Sequence, residues 1–200
     1  MGGIGSGKST LARWVAERHP VAVIDADRIG HQLLEAPAVI ERLRREFGDA
    51  ILNERGQIDR SALAKRVFGP SAEHRSARST LEAVVHPMIQ REIERQIAAV
   101  DTNMVRCVLL DAAVLLESRW STVCDRVIFI DTPDERRRAH VSANRGWSGE
   151  ELARREASQW PLAEKRARAG AVVTNDGTVA EGGERLWRAI EAFSRKETQG

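Results

Sequence analysis

The sequence predicts an α/β protein built on a doubly wound parallel sheet. A glycine-rich loop that matches a phosphate-binding motif opens the chain at residues 2–9. Short apolar runs, each ending at polar residues, alternate along the chain with segments of helical spacing. Strands and helices that alternate in this way form parallel sheets with right-handed crossovers, and ligands bind at the carboxyl ends of such strands.

The opening residues, MGGIGSGKST, contain the complete pattern G-x-x-x-x-G-K-[ST]. Glycines allow the backbone angles at which successive N–H groups converge on a phosphate. Lys8 supplies a positive charge for β- and γ-phosphates, and the Ser9 hydroxyl is placed to ligate Mg²⁺. Residues 11–15 predict the helix whose N-terminus faces the anion. We therefore expect nucleotide binding, with a flexible Gly/Ser-rich tail as the alternative. The expected contacts are Gly3, Ile4, Gly5, Ser6, Gly7, Lys8, Ser9 and Thr10.

Only Met1 precedes this loop, whereas a phosphate-binding loop normally follows a buried β-strand. That strand is usually central in a doubly wound sheet, so its loss leaves backbone groups unpaired on both neighbouring strands. We therefore expect the first strand to be missing from the sheet, through a misassigned start or a shortened chain.

Length and composition are typical of one soluble domain. The 200 residues are 42% hydrophobic and 30% charged, with a net charge of +2. This near balance argues against nucleic acid or a membrane as the main partner. No signal peptide is visible, and no apolar run approaches the ~20 residues of a membrane span. Cys107 and Cys124 lack metal-ligand spacing, so we expect reduced thiols in a cytoplasmic protein.

The predicted strands are short apolar runs, and polar residues follow each of them. These runs are residues 21–24, 107–110, 127–130 and 171–174. Because ligands gather at the carboxyl ends of parallel strands, the polar residues there are candidates for a binding site. They are Asp25, Asp27, Asp111, Asp131 and Asn175.

Helical spacing fills the segments between the strands. Residues 29–47 show it up to Gly48, and a short helix is expected within residues 56–68. Residues 76–100 form a long amphipathic stretch, in which Pro87 is expected to kink or restart the helix. His86, just before this proline, is a candidate for substrate contact, with capping of a kinked helix as the alternative.

An Arg-rich stretch, residues 136–168, lies between the last two predicted strands. Within it, Ser148 and Glu151 predict the capping box of a helix. A basic segment opposite a phosphate loop suggests a lid that closes over the nucleotide. Arg145, beside Gly146, is the candidate that offsets charge on the transferring phosphoryl group. A solvated helical hairpin is the alternative.

A phosphate loop with a carboxylate at a strand end is suited to phosphoryl transfer to an alcohol. The acceptor hydroxyl must approach the γ-phosphate in line, and a carboxylate can orient it and take its proton. Of Asp25 and Asp27, the later residue is nearer the edge of the sheet, which favours Asp27 for this role, with strand-end capping as the alternative for both. Asp111 is a candidate for holding Mg²⁺ through water, with helix capping as the alternative.

Several separated segments together resemble the dephospho-CoA kinase family. Residues 2–9 match its characteristic loop, and residues 24–27 match its acidic strand end. Later blocks follow in family order over nearly the whole chain. They are Phe47-Gly48, Gly56, Asp59-Arg60, Leu63-Ala64, Leu81-Glu82, His86-Pro87, Leu110-Asp111, Leu115-Leu116-Glu117, Arg145-Gly146, Gln159, Lys165 and Asn175-Asp176-Gly177. Departures from the family pattern are Met1 for Thr, His31 for Arg, Ala113 for Pro, Val141 for Arg and Gly170 for Asp.

The resemblance implies that MgATP phosphorylates the ribose 3′-hydroxyl of dephospho-CoA, the last step of CoA synthesis. It implies that Asp27 is the general base and that Lys8 and Arg145 offset charge on the phosphoryl oxygens. Ser9 and Asp111 would hold Mg²⁺, and the loop at Asn175 would border adenine. The expected acceptor contacts are Asp27, His31, His86 and Leu115.

The expected architecture is a single domain of the P-loop kinase type over residues 1–200. It has a helical acceptor-binding region at about 31–100 and a lid at about 136–168. The expected partner is dephospho-CoA, bound by a monomer or a small homo-oligomer. One alternative is another small-molecule kinase on this scaffold, acting on a nucleoside monophosphate or a sugar acid. The other is an ATP-binding switch protein without catalysis.

Overall fold

The computed structural model describes residues 1–118 and 120–197, and it confirms the predicted strands with small shifts at their ends. The strands are β1 (Val21–Asp25), β2 (Cys107–Asp111), β3 (Ile128–Asp131) and β4 (Ala171–Thr174). The α-helices are α1 (Lys8–Ala16), α2 (Ala26–Leu33), α3 (Pro37–Phe47), α4 (Arg60–Val67), α5 (Ala72–Ala98), α6 (Asp134–Arg145), α7 (Gly149–Glu156), α8 (Leu162–Ala167) and α9 (Val179–Glu197). Short 3-10 helices cover Asp49–Ile51 and Trp120–Val123. Across the described part of the chain, no helix combines the length and the apolar character needed to cross a membrane.

The strands pair in parallel, as the α/β pattern predicts. Strand β1 pairs with β2, and β3 pairs with β4, so the described residues form two two-stranded sheets. Gly2 makes an isolated parallel bridge to Ile130 of β3, and the Ile130 amide donates to the Met1 carbonyl at 2.7 Å. Within the described residues, β1 is the first strand in chain order.

The chain divides into two compact units. The first contains Met1–Asp25 and the chain from Ala99 onward, and the second is Ala26–Ala98. In the first unit, helices α1 and α9 pack against each other and cover residues from both sheets. Its buried core is Leu11, Val15, Val21, Ile130, Val173, Leu186 and Ile190. Each large apolar side chain buried in this way contributes about 1.5–3 kcal/mol.

The second unit is helical and corresponds to the predicted region at about 31–100. Its core joins α3, α4 and α5 through Val39, Leu43, Ile51, Leu63, Val67 and Val84. The helical spacing predicted over residues 29–47 is confirmed, but it is divided between two helices, because α2 ends at Leu33 and α3 begins at Pro37. Proline suits the first turn of a helix, where its missing N–H would have no partner.

Helix α5 is continuous through Pro87, so the predicted restart of the helix at this residue is not observed. An internal proline costs roughly 3 kcal/mol because it removes one helical hydrogen bond and crowds the preceding turn. Buried side chains flank it on both sides, Val84 before and Ile89 and Ile93 after. Their burial offsets this cost and holds the two halves in one helix.

Three short helices, α6 to α8, occupy the predicted lid. The Ser148 Oγ accepts the Glu151 N–H at 3.2 Å, which confirms Ser148 as the cap of α7. The Glu151 carboxylate pairs with Arg154 at 2.5 Å and with Arg155 at 2.7 Å. The capping box is therefore confirmed in its Ser148 half, while the carboxylate engages the stronger charged donors.

A buried ion pair fixes α8 to the segment that follows β2. Lys165 is 1% exposed, and its ammonium lies 2.8 Å from Glu117 Oε1. The same ammonium donates to Gln159 Oε1 at 3.0 Å and to the carbonyl of Ala113 at 3.3 Å. Each N–H direction of the ammonium thus has an acceptor, as a buried lysine requires.

Breaking this pair on one side should destabilise the protein strongly. We expect Lys165→Met to lower the free energy of unfolding by about 3–5 kcal/mol, because Glu117 is then left charged and buried. Urea unfolding measures the change. Arg154→Ala is the control: its pair with Glu151 is largely exposed, so the expected loss is at most about 1 kcal/mol. Equal losses in the two variants would contradict a special role for the Lys165–Glu117 pair.

Candidate functional site

The phosphate loop has the conformation that its glycines predict. Gly5 and Gly7 have φ angles of 76° and 80°, in the left-handed region that favours glycine. Gly7 is the N-cap of α1, and its carbonyl accepts the first helical hydrogen bond from Leu11 at 2.9 Å. A side chain at Gly5 would also lie 2.6 Å from the carbonyl oxygen of Arg137. The loop therefore delivers the N-terminus of α1 to a phosphate, as the motif requires.

The polar side chains of the motif lie at this helix terminus. The Lys8 ammonium donates to the Gly3 carbonyl at 3.2 Å, and the Ser6 amide donates to the same oxygen at 3.2 Å. Ser9 and Thr10 are exposed in the first turn of α1. A bound phosphate would offer Lys8 a charged acceptor in place of a backbone carbonyl, which is the stronger interaction.

Side chains that directly follow β3 and β4 hold the phosphate loop through hydrogen bonds. Thr132 Oγ1 and Asn175 Nδ2 each donate to the Ser6 carbonyl oxygen at 2.9 Å. Both side chains belong to residues that are 6% exposed. The contact that the structure shows for Asn175 is thus with the phosphate loop, and its contact with adenine stays a prediction.

Helix α6 packs against the loop through two side chains that the sequence analysis did not identify. Arg137 Nη1 donates to the Ile4 carbonyl at 3.3 Å, and His140 Nδ1 lies 2.9 Å from the Gly5 carbonyl. More than a hundred residues separate each pair in the chain. The only available signal was an Arg-rich composition, which does not say which arginine turns inward.

Arg137 is a structural cation in this arrangement. It is 5% exposed and pairs with Asp134 at 2.6 Å and with Glu156. Because two carboxylates balance one buried guanidinium, Arg137 joins α6 and α7 to the loop.

Two aspartates end neighbouring strands of the other sheet. Asp25 and Asp111 are partners in the parallel register of β1 and β2, so their backbones are about 4.8 Å apart. Both residues are half-buried, and two acidic residues on neighbouring strand ends favour a nearby cation. The described residues contain no group of three or more His, Cys, Asp or Glu side chains that could hold a metal alone. Kinase sites bind Mg²⁺ through only one or two carboxylates together with phosphate oxygens, so this finding does not contradict the predicted ligands Ser9 and Asp111.

Arg145 and Leu115 lie elsewhere in the first unit. Arg145 is exposed at the end of α6, and its guanidinium is 4.8 Å from the centre of the Trp147 ring. Leu115 is 4% exposed, so in this structure its side chain belongs to the core. The predicted roles of these residues toward phosphate and acceptor stay predictions.

The remaining predicted residues lie in the second unit. Asp27 is exposed in the first turn of α2, and His31 is exposed in its last turn. The His31 Nε2 lies 2.7 Å from a guanidinium nitrogen of Arg60. Arg60 carried no assigned role in the sequence analysis, although its neighbour Asp59 marks a helix start by capping α4. His86 is half-buried in α5, and this burial lowers the pKa of its imidazole.

Comparisons with known proteins agree with this description. A family model described as dephospho-CoA kinase matches residues 1–181. A dephospho-CoA kinase of Latilactobacillus sakei is 34% identical over 98% of this chain and 94% of its own length. The crystal structure of TT1252 from Thermus thermophilus superposes with a TM-score of 0.80 at 34% identity, covering 96% of this chain and 93% of that one. A dephospho-CoA kinase from Campylobacter jejuni, at 24% identity and a TM-score of 0.59, shares the fold over 96% of this chain and 94% of its own.

The burial of His86 should make stability depend on pH. Because its pKa is lower in the folded protein than in the unfolded chain, the unfolded chain binds the proton more readily as pH falls. We expect the free energy of unfolding to decrease from pH 7.5 to pH 5.5, and His86→Gln to make this decrease smaller. Urea unfolding at a series of pH values measures both slopes. If the free energy of unfolding of His86→Gln fell with pH as steeply as that of the wild type, the burial of His86 would not be the cause of the decrease.

Proposed function

The chain belongs to the dephospho-CoA kinase family, and we propose that it transfers the γ-phosphoryl group of ATP to the ribose 3′-hydroxyl of dephospho-CoA, giving CoA and ADP. The phosphate loop carries this proposal, because its backbone and Lys8 form an anion site at the N-terminus of α1. The family match over residues 1–181 supports the identity of the acceptor.

On the nucleotide side, we assign the β- and γ-phosphates to the loop N–H groups and to Lys8. Ser9 and Asp111 are the residues that would hold Mg²⁺, which when bound neutralises charge on the phosphate oxygens. The exposure of the Ser9 hydroxyl and the register of Asp111 beside Asp25 support this assignment. We assign Arg145 to the charge that develops on the transferring phosphoryl group.

On the acceptor side, we assign Asp27 as the general base. The 3′-oxygen attacks the γ-phosphorus while the bond to the bridging oxygen of ADP breaks, and the hydroxyl proton passes to the Asp27 carboxylate. Its exposed carboxylate, two residues after the end of β1, supports this role. The His31 and Arg60 side chains, which lie 2.7 Å apart, offer N–H donors for an anionic group of the acceptor, and His86 offers a further polar contact. We place the activity in the cytoplasm.

Acceptor-dependent release of ADP tests the proposal directly. We expect the purified protein with MgATP to release ADP rapidly when dephospho-CoA is added and slowly without it. AMP, CMP and gluconate are the matched acceptors for the alternative kinase activities. Equal release with and without every acceptor would favour an ATPase or switch protein, and preference for another acceptor would overturn the substrate assignment.

Asp27→Asn tests the general base. We expect this variant to bind MgATP as the wild type does and to lose about 10²–10⁴-fold in turnover, because the amide cannot take the proton. Asp125→Asn, a change at an exposed aspartate before β3, is the matched control and should keep full turnover. Retention of more than about a tenth of wild-type turnover in Asp27→Asn would contradict the assignment.

A further inference from the structure

We propose that Thr132 and Asn175 are positioning residues for nucleotide binding, which act together by holding the Ser6 carbonyl and so fixing the direction of the Gly7 N–H. The inference rests on the proposed function only in taking the loop as the nucleotide site. It is independent of which acceptor is phosphorylated.

The two donors come from adjacent strand ends. Thr132 directly follows Asp131, the last residue of β3, and Asn175 directly follows Thr174, the last residue of β4. Asp131 and Thr174 are partners in the parallel register, so the next residue of each strand emerges at the same edge. Their side chains converge on one oxygen, each at 2.9 Å. A carbonyl oxygen has two lone pairs, and here each receives a donor.

This double contact sets the orientation of a peptide group. The Ser6 carbonyl and the Gly7 N–H belong to one trans peptide, in which they point in opposite directions. Because the carbonyl is held toward the ends of β3 and β4, the Gly7 N–H is directed away from them. Gly7 is the N-cap of α1, so this N–H belongs to the group of amides that face a bound phosphate.

The Asn175 amide is itself tightly confined. A Cβ atom on Gly7 would lie 2.8 Å from Asn175 Nδ2, and one on Gly182 would lie 2.7 Å from Asn175 Oδ1. The side chain therefore fits between the loop and α9 only because both neighbours are glycine. Because the Ser6 carbonyl can only accept, the confined amide presents its nitrogen to Ser6.

The loop after β4 is held from outside as well. Arg136 donates to the carbonyls of Asp176 and Gly177, and Arg185 pairs with the Asp176 carboxylate at 2.6 Å. The hydrogen bond and charge of Arg185 lower the pKa of Asp176, which keeps this carboxylate ionised and the contact intact. Asn175 is thus fixed before nucleotide arrives, as a positioning residue must be.

Two variants of Thr132 separate the hydroxyl donor from the shape of the side chain. Thr132→Val keeps the shape and removes the donor, whereas Thr132→Ser keeps the donor and removes a methyl group. We expect Thr132→Val to weaken MgATP binding about threefold to tenfold, the usual effect of one hydrogen bond, and Thr132→Ser to restore most of it. Isothermal titration calorimetry without acceptor gives the Kd, and the KM for dephospho-CoA should stay unchanged.

The double variant tests whether the two donors share one carbonyl. With either donor removed, the other still satisfies Ser6, a residue that is 0% exposed. With both removed, the carbonyl is buried without a partner, which costs more than either single loss. We therefore expect Thr132→Val with Asn175→Ala to weaken MgATP binding by more than the product of the two single effects. Thermal unfolding followed by circular dichroism checks that each variant is folded. If Asn175→Ala does not fold, the comparison of Thr132→Val with Thr132→Ser tests the inference on its own.

Three results would overturn the inference. The first is that Thr132→Val binds MgATP as tightly as the wild type. The second is that Thr132→Val and Thr132→Ser bind MgATP equally. The third is that the double variant weakens MgATP binding by no more than the product of the two single effects. A wild-type protein that binds MgATP but transfers no phosphoryl group to dephospho-CoA would overturn the proposed acceptor and leave this inference standing. A wild-type protein that does not bind MgATP would overturn both.

Discussion

The structure of the first unit depends on how the phosphate loop satisfies its carbonyl groups. A loop that turns N–H groups toward an anion must turn carbonyls away from it, and a buried carbonyl without a partner costs about 1–3 kcal/mol. Here the carbonyls of Ile4, Gly5 and Ser6 each accept from a side chain. The donors come from α6 and from the ends of β3 and β4, elements that lie more than a hundred residues farther along the chain. Glycines permit this loop conformation, but tertiary contacts hold it.

Buried charge organises the helices that follow β3 in a second way. Arg137 and Lys165 are 5% and 1% exposed, and each has a carboxylate partner from another element. Removing such ions from water costs several kcal/mol each, so these pairs add little net stability compared with apolar residues. In our interpretation they add selectivity, because the observed packing of α6, α7 and α8 brings both buried charges to their partners. We interpret them as the reason that these short helices have a defined packing.

Local signals in the sequence predicted much of the fold and part of the site. Apolar runs predicted the strands, and the spacing of Gly7, Lys8 and Ser9 predicted the phosphate loop and the start of α1. The break between α2 and α3 had a local signal in Pro37 that the helical spacing obscured, whereas the continuity of α5 depends on packing. The inward turn of Arg137 and the contact of Thr132 with Ser6 could not be predicted, because both join segments far apart in the chain.

The contacts of Arg137 and Arg145 also bear on the proposed role of Arg145 toward the transferring phosphoryl group. Moving Arg137 to a phosphate would break the pairs of this buried guanidinium with the partly exposed carboxylates of Asp134 and Glu156, and losing the partners of a buried charge costs up to about 3–5 kcal/mol. Arg145 is exposed and lies over the Trp147 ring, a contact worth about 0.5–1 kcal/mol at such a site. Attraction to the negative charge of a phosphoryl group offsets the small cost of moving Arg145 far more easily than the large cost of moving Arg137. These energies are consistent with Arg137 as a fixed structural contact of the loop, and they support the proposal that Arg145, not Arg137, serves the transferring group.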